Sequence, residues 1–368
     1  MKFACLQENL SKGLSTVVRA VPLKSSLPIL SNVLISAEKG RLKLSGTNAE
    51  TSITTYVGAS VEKEGSITIP AKLFRDFVVN LSPSTLEAVL EEDLLRVSSE
   101  KTKSRFNGVA ASEFPDLPTF PETGEYLILD PKVFNEAVSS VVFSAAADSS
   151  RPVFSGVYLN YEDGVLTIAA SDGFRLSEKT LNTESRMDPF TTIIPAKTLA
   201  DIARIFSTSA EPIKFMLNTE ENLALFSSED TLVSSNIIGG EYPDYKRIIP
   251  KDTVLEAVFS SAELLDSVKL TNVFAKEASS PVKIKFEDGV MYLTSSSTES
   301  GEHQSQINAE VKGASMEVSF NLKYLMDFLT NVKGERLSLS TTGSTKPCLI
   351  RVDNEKSYLH IIMPMQVQ

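Results

Sequence analysis

Phe74, Phe77, Val78 and Leu81 stand at i, i+3, i+4 and i+7, the spacing of one buried helical stripe. The same stripe returns as Leu199, Ile202, Ala203 and Phe206, and again as Leu325, Phe328, Leu329 and Val332. Polar positions keep the same step, since Lys72 and Asp76 align with Lys197 and Asp201 and with Lys323 and Asp327. The offset is 125 residues from Ile69 to Ile194 and 126 from Ile194 to Phe320. A second landmark shares this period. Glu38-Lys39-Gly40, Glu162-Asp163-Gly164 and Glu287-Asp288-Gly289 each read as a tight turn with glycine at the permissive position, followed by a strand of alternating side chains. Amphipathic helices over 6–21, 131–144 and 262–274 open the three copies.

The pattern predicts three tandem units, 1–125, 126–250 and 251–368, each an α+β domain with two helices packed on antiparallel sheets. Short alternating strands are expected at 66–69, 86–90 and 231–236. Proline-bearing linkers are expected at 114–121 and 242–250. A period this long is outside the roughly 20 to 50 residues of solenoid repeats, and each unit can bury a core of its own. Three alike units with exposed sheet edges gain from closing into a ring, which leaves no edge unpaired. One chain would have to turn by about 120° per unit, two chains head to tail by about 60°, and the pattern alone does not choose.

Composition narrows the function. With 42 % hydrophobic residues, 17 Gly and 17 Pro in 368 residues, the chain belongs with folded proteins and not with disordered or collagen-like ones. Two cysteines, Cys5 and Cys348, form neither a disulfide framework nor a zinc knuckle, which fits a reducing compartment. Polar residues follow Met1 too early for a leader core, and no apolar run is long enough to span a bilayer. A soluble, cytoplasmic protein with no membrane partner is expected.

No catalytic constellation stands out. His303 and His360 are the only histidines and have no metal-ligand spacing, and phosphate-cradling glycine loops and nucleophile elbows are missing. No cofactor and no enzymatic activity are expected. The net charge of −11 argues against tight DNA binding by charge. Yet cations recur along the polar helical faces: Lys12, Arg19, Lys24, Lys72, Arg75, Lys132, Lys197, Arg204, Lys269, Lys276 and Lys323. A ring needs only such sparse, weak contacts, because it stays on its track by enclosing it.

Four further stretches carry a family resemblance: Leu27-Pro28-Ile29-Leu30, Ser171-Asp172-Gly173-Phe174-Arg175-Leu176, the run from Tyr242-Pro243-Asp244-Tyr245 to Pro250, and Met363-Pro364-Met365-Gln366. With the triple repeat, they make the whole chain resemble the bacterial DNA polymerase III β subunit, the replicative sliding clamp. The resemblance implies a head-to-tail homodimer forming a ring around duplex DNA, with helices inside and sheets outside. It also implies an ATP-driven clamp loader, and docking of the polymerase III α subunit, other polymerases and repair or ligation factors through short peptides.

By the same resemblance, the peptide pocket is formed by Phe154, Ser171, Gly173, Phe174, Arg175 and Leu176, by Pro243, Arg247 and Ile248, and by Pro347, Ile361, Met363, Pro364, Met365 and Gln366. Arg175 and Arg247 would orient the peptide. Phe174 stands where the family has His, and Gln366 where it often has Arg. Lys24, Lys72, Arg151, Lys197 and Lys323 would face DNA, with Pro152 and Val153 in place of aromatics beside Arg151. Phe106, Lys269 and Leu270 would form the dimer seam. Two rival expectations are a peptide-binding scaffold that never encircles DNA, and an enzyme site assembled from Asp172, Arg175 and Asp244.

Overall fold

Among the described residues the order strand, helix, three strands occurs six times, twice in each repeat, with one added short strand, Ser60–Lys63, in the first. This internal halving is not visible in the apolar pattern, because the two halves of a repeat share no motif at a fixed offset. The computed structural model describes residues 1–121, 123–148, 150–185, 187–274, 281–297 and 301–366. Among the described residues the six α-helices are α1 (Gln7–Val17), α2 (Ala71–Val79), α3 (Pro131–Val141), α4 (Ala196–Phe206), α5 (Ser261–Phe274) and α6 (Leu322–Asn331). Among the described residues none is long and apolar enough to cross a membrane.

The helical stripes face the cores as their spacing requires. Of the twelve stripe residues only Phe77 and Leu81 are half-buried, and the others are buried. Two helix ends differ from expectation. α1 stops at Val17, a three-ten turn covers Val18–Ala20, and Pro22 has no N–H with which to continue. Lys24 is therefore an exposed loop residue and not part of the first helix. α3 likewise tightens into a three-ten turn over Val142–Ser144. The turn glycines Gly40, Gly164 and Gly289 have φ of 79°, 81° and 75°, the left-handed region that glycine enters without a Cβ penalty.

Contacts group the chain into two units that do not follow the repeats. One comprises Met1–Lys132, Ser185–Met187 and Asp201–Ile237, the other Val133–Glu184, Asp188–Ala200 and Ile238–Gln368. The reason is edge pairing. In the first unit, Thr51–Gly58 of the first repeat pairs antiparallel with Thr231–Asn236 of the second, Ile53 opposite Val233, within an eight-stranded sheet. In the other, Arg175–Asn182 of the second repeat pairs with Tyr358–Ile362 of the third, Ser177 opposite His360, within a twelve-stranded sheet. A separate five-stranded sheet in the first unit ends at the edge strand Lys103–Asn107.

The Ser177–His360 pair is polar and buried. Ser177 Oγ lies 2.8 Å from His360 Nδ1 and 2.8 Å from Ser144 Oγ, and the imidazole stacks on Phe328 at 4.6 Å between centroids. Burial, reinforced by the charge of Arg175, pushes the His360 pKa down to about 3. The unfolded chain, with an ordinary histidine near 6.5, then binds more protons than the native one between those values. The contribution of His360 is therefore intact above about pH 6.5 and falls as pH drops, by at most about 1.4 kcal/mol per pH unit. Urea unfolding of His360→Gln is expected to show a shallower loss of stability from pH 6.5 to 4.5 than the parent. Equal slopes would remove His360 as the cause.

Candidate peptide-docking site

Residues 171–175 form a loop closed by its own side chains. Ser171 Oγ donates to the Arg175 carbonyl at 2.8 Å and accepts from Gly173 N–H at 3.0 Å. Asp172 Oδ1 accepts from the N–H groups of Phe174 and Arg175, at 2.8 and 3.0 Å. Short polar side chains at these two places satisfy backbone donors that the turn would otherwise leave unpaired. Gly173, at φ 90°, turns the chain, and Phe174 projects outward, 57 % exposed. The strand that follows buries Leu176 against Ile361 and Leu349.

Arg175 does something other than the sequence suggested. Its side chain is 5 % exposed and bridges Asp172 at 3.1 Å and Asp327 of α6 at 2.7 Å. Its guanidinium lies 4.4 Å from the centre of the Tyr324 ring. These partners engage Nε and Nη1, so Arg175 pins the loop to α6 and is a buried charge, not an exposed one. Arg247 has that exposure, at 83 %, and among the described residues pairs with Asp244 alone, at 2.7 Å. Arg151, expected among DNA-facing residues, lies against this loop. It donates to the Asp172 carbonyl at 2.8 Å and sits 4.7 Å above the Phe154 ring.

One wall comes from the three-ten turn Tyr245–Ile248 and the residues before it. Tyr242 stacks on Tyr158 at 5.1 Å and meets Phe154 edge-on at 6.0 Å, fixing the base beneath exposed Pro243 and Ile248. Tyr245 is anchored by donating to Glu178 Oε2 at 2.6 Å, and burial together with that carboxylate raises its pKa above the usual phenol range. The opposite wall is the C-terminal segment. Met363 N–H donates to the Phe174 carbonyl at 2.8 Å and Met365 N–H to the Ser319 carbonyl at 2.7 Å. These bonds hold Met363, Pro364 and Met365 half-buried, with Gln366 exposed. Pro347, half-buried, precedes the strand Cys348–Val352 beside the one that carries Ile361.

Phe174 and Ile248 are exposed, Met363 and Met365 half-buried, and Arg247 carries an exposed guanidinium, side-chain types suited to an adaptable peptide-binding surface. Sequence reasoning missed Tyr158, Tyr324 and Asp327 as its supports. Asp327 carried a signal, because it recurs as Asp76 and Asp201, and each of these carboxylates holds an arginine: Arg75 for Asp76, Arg19 for Asp201.

The remaining candidates are dispersed. Lys72 and Lys197, exposed on α2 and α4, make no ion pair among the described residues, whereas Lys323 is tied to Asp327 at 3.0 Å. Lys276 lies outside the described residues. The Phe106 ring is 6 % exposed and packs edge-on against Phe74 and Phe77, each at 5.1 Å, so it serves its own core while its strand remains a sheet edge. Lys269 pairs with Asp266 at 3.6 Å, and Leu270 and Val273 are 55 % and 75 % exposed on the same helix. Among the described residues no three His, Cys, Asp or Glu side chains cluster as metal ligands.

Family models of the DNA polymerase III beta subunit match along the whole chain: the N-terminal domain over 1–118, the central domain over 128–244 and the C-terminal domain over 246–366. The chain is 28 % identical to the beta sliding clamp of Synechococcus elongatus and 27 % to that of Haemophilus influenzae, each alignment covering 100 % of both proteins. Among solved structures, the DNA polymerase sliding clamp from Bacillus subtilis superposes with a TM-score of 0.94 at 25 % identity. The DNA polymerase III beta subunit from Thermotoga maritima does so with 0.93 at 28 %, and both cover 100 % of each chain. A triple clamp domain over the full length, in sequence and in fold, means that this chain belongs to the DNA polymerase III beta subunit family, the sliding clamps.

Proposed function

We propose that two copies of this chain join head to tail into a ring closed around duplex DNA. The ring is a non-catalytic processivity factor that tethers the polymerase III α subunit and other polymerases, repair and ligation factors in the cytoplasm. One observation carries the reading: both seams inside the chain are built alike, and one matching pair of edges is left over. At each seam, the third strand of one repeat's first half pairs with the last strand of the next repeat, Thr51–Gly58 with Thr231–Asn236 and Arg175–Asn182 with Tyr358–Ile362. The corresponding strands left without such a neighbour are the N-terminal part of Gly301–Gly313 and Lys103–Asn107. Pairing them between two copies continues the series and covers both of these edges.

The helices support the same seam. Thr16 of α1 and Ser140 of α3, each the tenth residue of its helix, line clefts at the two internal seams, and the tenth residue of α5 is Leu270. A helix that buries Leu264 and Val268 on one face and exposes Leu270 and Val273 on another has a second apolar surface to cover. Exposed Lys24, Lys72 and Lys197 supply a few phosphate contacts on an otherwise acidic protein, enough to centre the duplex without gripping it. Energy for opening the ring comes from an ATP-driven loader, since this chain has no phosphate-cradling loop.

The test is retention on DNA. After loading, the protein is expected to persist on nicked circular DNA through a high-salt wash and to leave as soon as the circle is linearised. Equal loss from both forms rules out encirclement.

A further inference from the structure

The frame of the docking site occurs twice. Thr47-Asn48-Ala49-Glu50-Thr51 of the first repeat corresponds to Ser171-Asp172-Gly173-Phe174-Arg175 of the second, hydrogen bond for hydrogen bond. Ala49 N–H donates to Thr47 Oγ1 at 3.0 Å, as Gly173 N–H does to Ser171 Oγ at 3.0 Å. Thr47 Oγ1 donates to the Thr51 carbonyl at 2.9 Å, as Ser171 Oγ does to Arg175 at 2.8 Å. Asn48 Oδ1 accepts from Glu50 and Thr51 N–H at 2.9 and 2.7 Å, the part Asp172 plays for Phe174 and Arg175. Ala49 and Gly173 are both left-handed, at φ 74° and 90°. Asn236 N–H donates to the Glu50 carbonyl at 2.7 Å, just as Met363 N–H does to Phe174 at 2.8 Å. The linkers match too, Glu113-Phe114-Pro115-Asp116 against Glu241-Tyr242-Pro243-Asp244.

What differs is the side chains. Where Leu176 faces Ile361 across the second seam, Ser52 faces Ser234 across the first, their hydroxyls bonded to each other at 2.6 Å. Exposed Glu50 replaces Phe174, and exposed Asn236 replaces Met363. The next residue along each strand shows the opposite polarity: Ile53 and Val233 are buried at the first seam, Ser177 and His360 at the second. Because side chains alternate along a strand, each seam has one apolar and one polar face, and the two seams use them in opposite senses.

We infer that Ser52 and Ser234, with Glu50 and Asn236, are specificity-determining residues that keep partner peptides off the first seam, so that each chain offers one docking site and not two. The inference rests on the peptide-docking reading above. A peptide side chain over the serine pair meets two hydroxyls bonded to each other in place of the apolar pair Leu176 and Ile361. It also has to desolvate the Glu50 carboxylate. The backbone frame is permissive, and the side chains refuse.

The experiment grafts Glu50→Phe, Ser52→Leu, Ser234→Ile and Asn236→Met and titrates a labelled clamp-binding peptide of the polymerase III α subunit by calorimetry. The expected stoichiometry rises from one peptide per chain in the parent to two in the graft. The graft lacking residues 363–368 is expected to bind one, at the first seam. If the folded graft still binds one, and its truncated form none, the inference is overturned. Two peptides per chain in the parent overturn it as well. Should the graft not fold, Glu50→Phe with Asn236→Met, which changes exposed positions only, is expected to give a second site about tenfold weaker than the first. Its absence overturns the inference. A parent that binds no peptide sinks the docking reading itself, which separates the two failures.

Discussion

Changing Leu270 and Val273 to Asp is expected to leave the protein monomeric at micromolar concentration and to abolish its retention on circular DNA. Both side chains stand on the outer face of α5, 55 % and 75 % exposed, while the residues that hold the helix to its own domain, Leu264 and Val268, are untouched. Folding of the chain is therefore preserved, and unfolding midpoints should match the parent. At a seam between copies, each carboxylate would have to be desolvated where a Leu or Val had been buried, and burial of such a side chain contributes about 1.5–3 kcal/mol. Two residues at each of two seams per ring weaken closure by at least a hundredfold, since about 1.4 kcal/mol corresponds to a factor of ten. Sedimentation velocity reads the mass directly. A variant that still sediments as a dimer would remove α5 from the seam.

Deleting residues 363–368 is the second large effect. Peptide affinity should fall by about a hundredfold or more, the scale set by losing well-packed apolar anchors at the centre of a contact. Dimer mass should be unchanged, because Met363 and Met365 are bonded to Phe174 and Ser319 and not to either free edge. Loss of the dimer with peptide binding intact would reverse the assignment of the two surfaces. Arg247→Ala, by contrast, removes an exposed charge paired with Asp244 and is expected to weaken binding severalfold without changing stability.

Arg175 illustrates how far the sequence could be read. Its motif marks it, by resemblance, as part of the docking site, but residue type could not say whether it faces a partner or the protein. Asp327, 152 residues away, decides that by consuming one end of the guanidinium. Phe106 shows the same gap. It lies on an edge strand, as a seam residue would, but its ring turns toward Phe74 and Phe77 of its own domain. At Lys24 the apolar Val17, Val18 and Val21 prolong the helical stripe in sequence, while Pro22 ends the hydrogen-bonding ladder before it.

The sequence by itself determined the threefold repetition, the helical stripes and the glycine turns, because each is written in spacings of a few residues that any local segment obeys on its own. Only the tertiary structure decided which edges pair, that the middle repeat is shared between two units, and which seam turns an apolar face outward. Strand pairing depends on register against a partner more than a hundred residues distant. A shift of one residue exchanges the two faces of a strand, so no pattern within either strand alone could carry that choice.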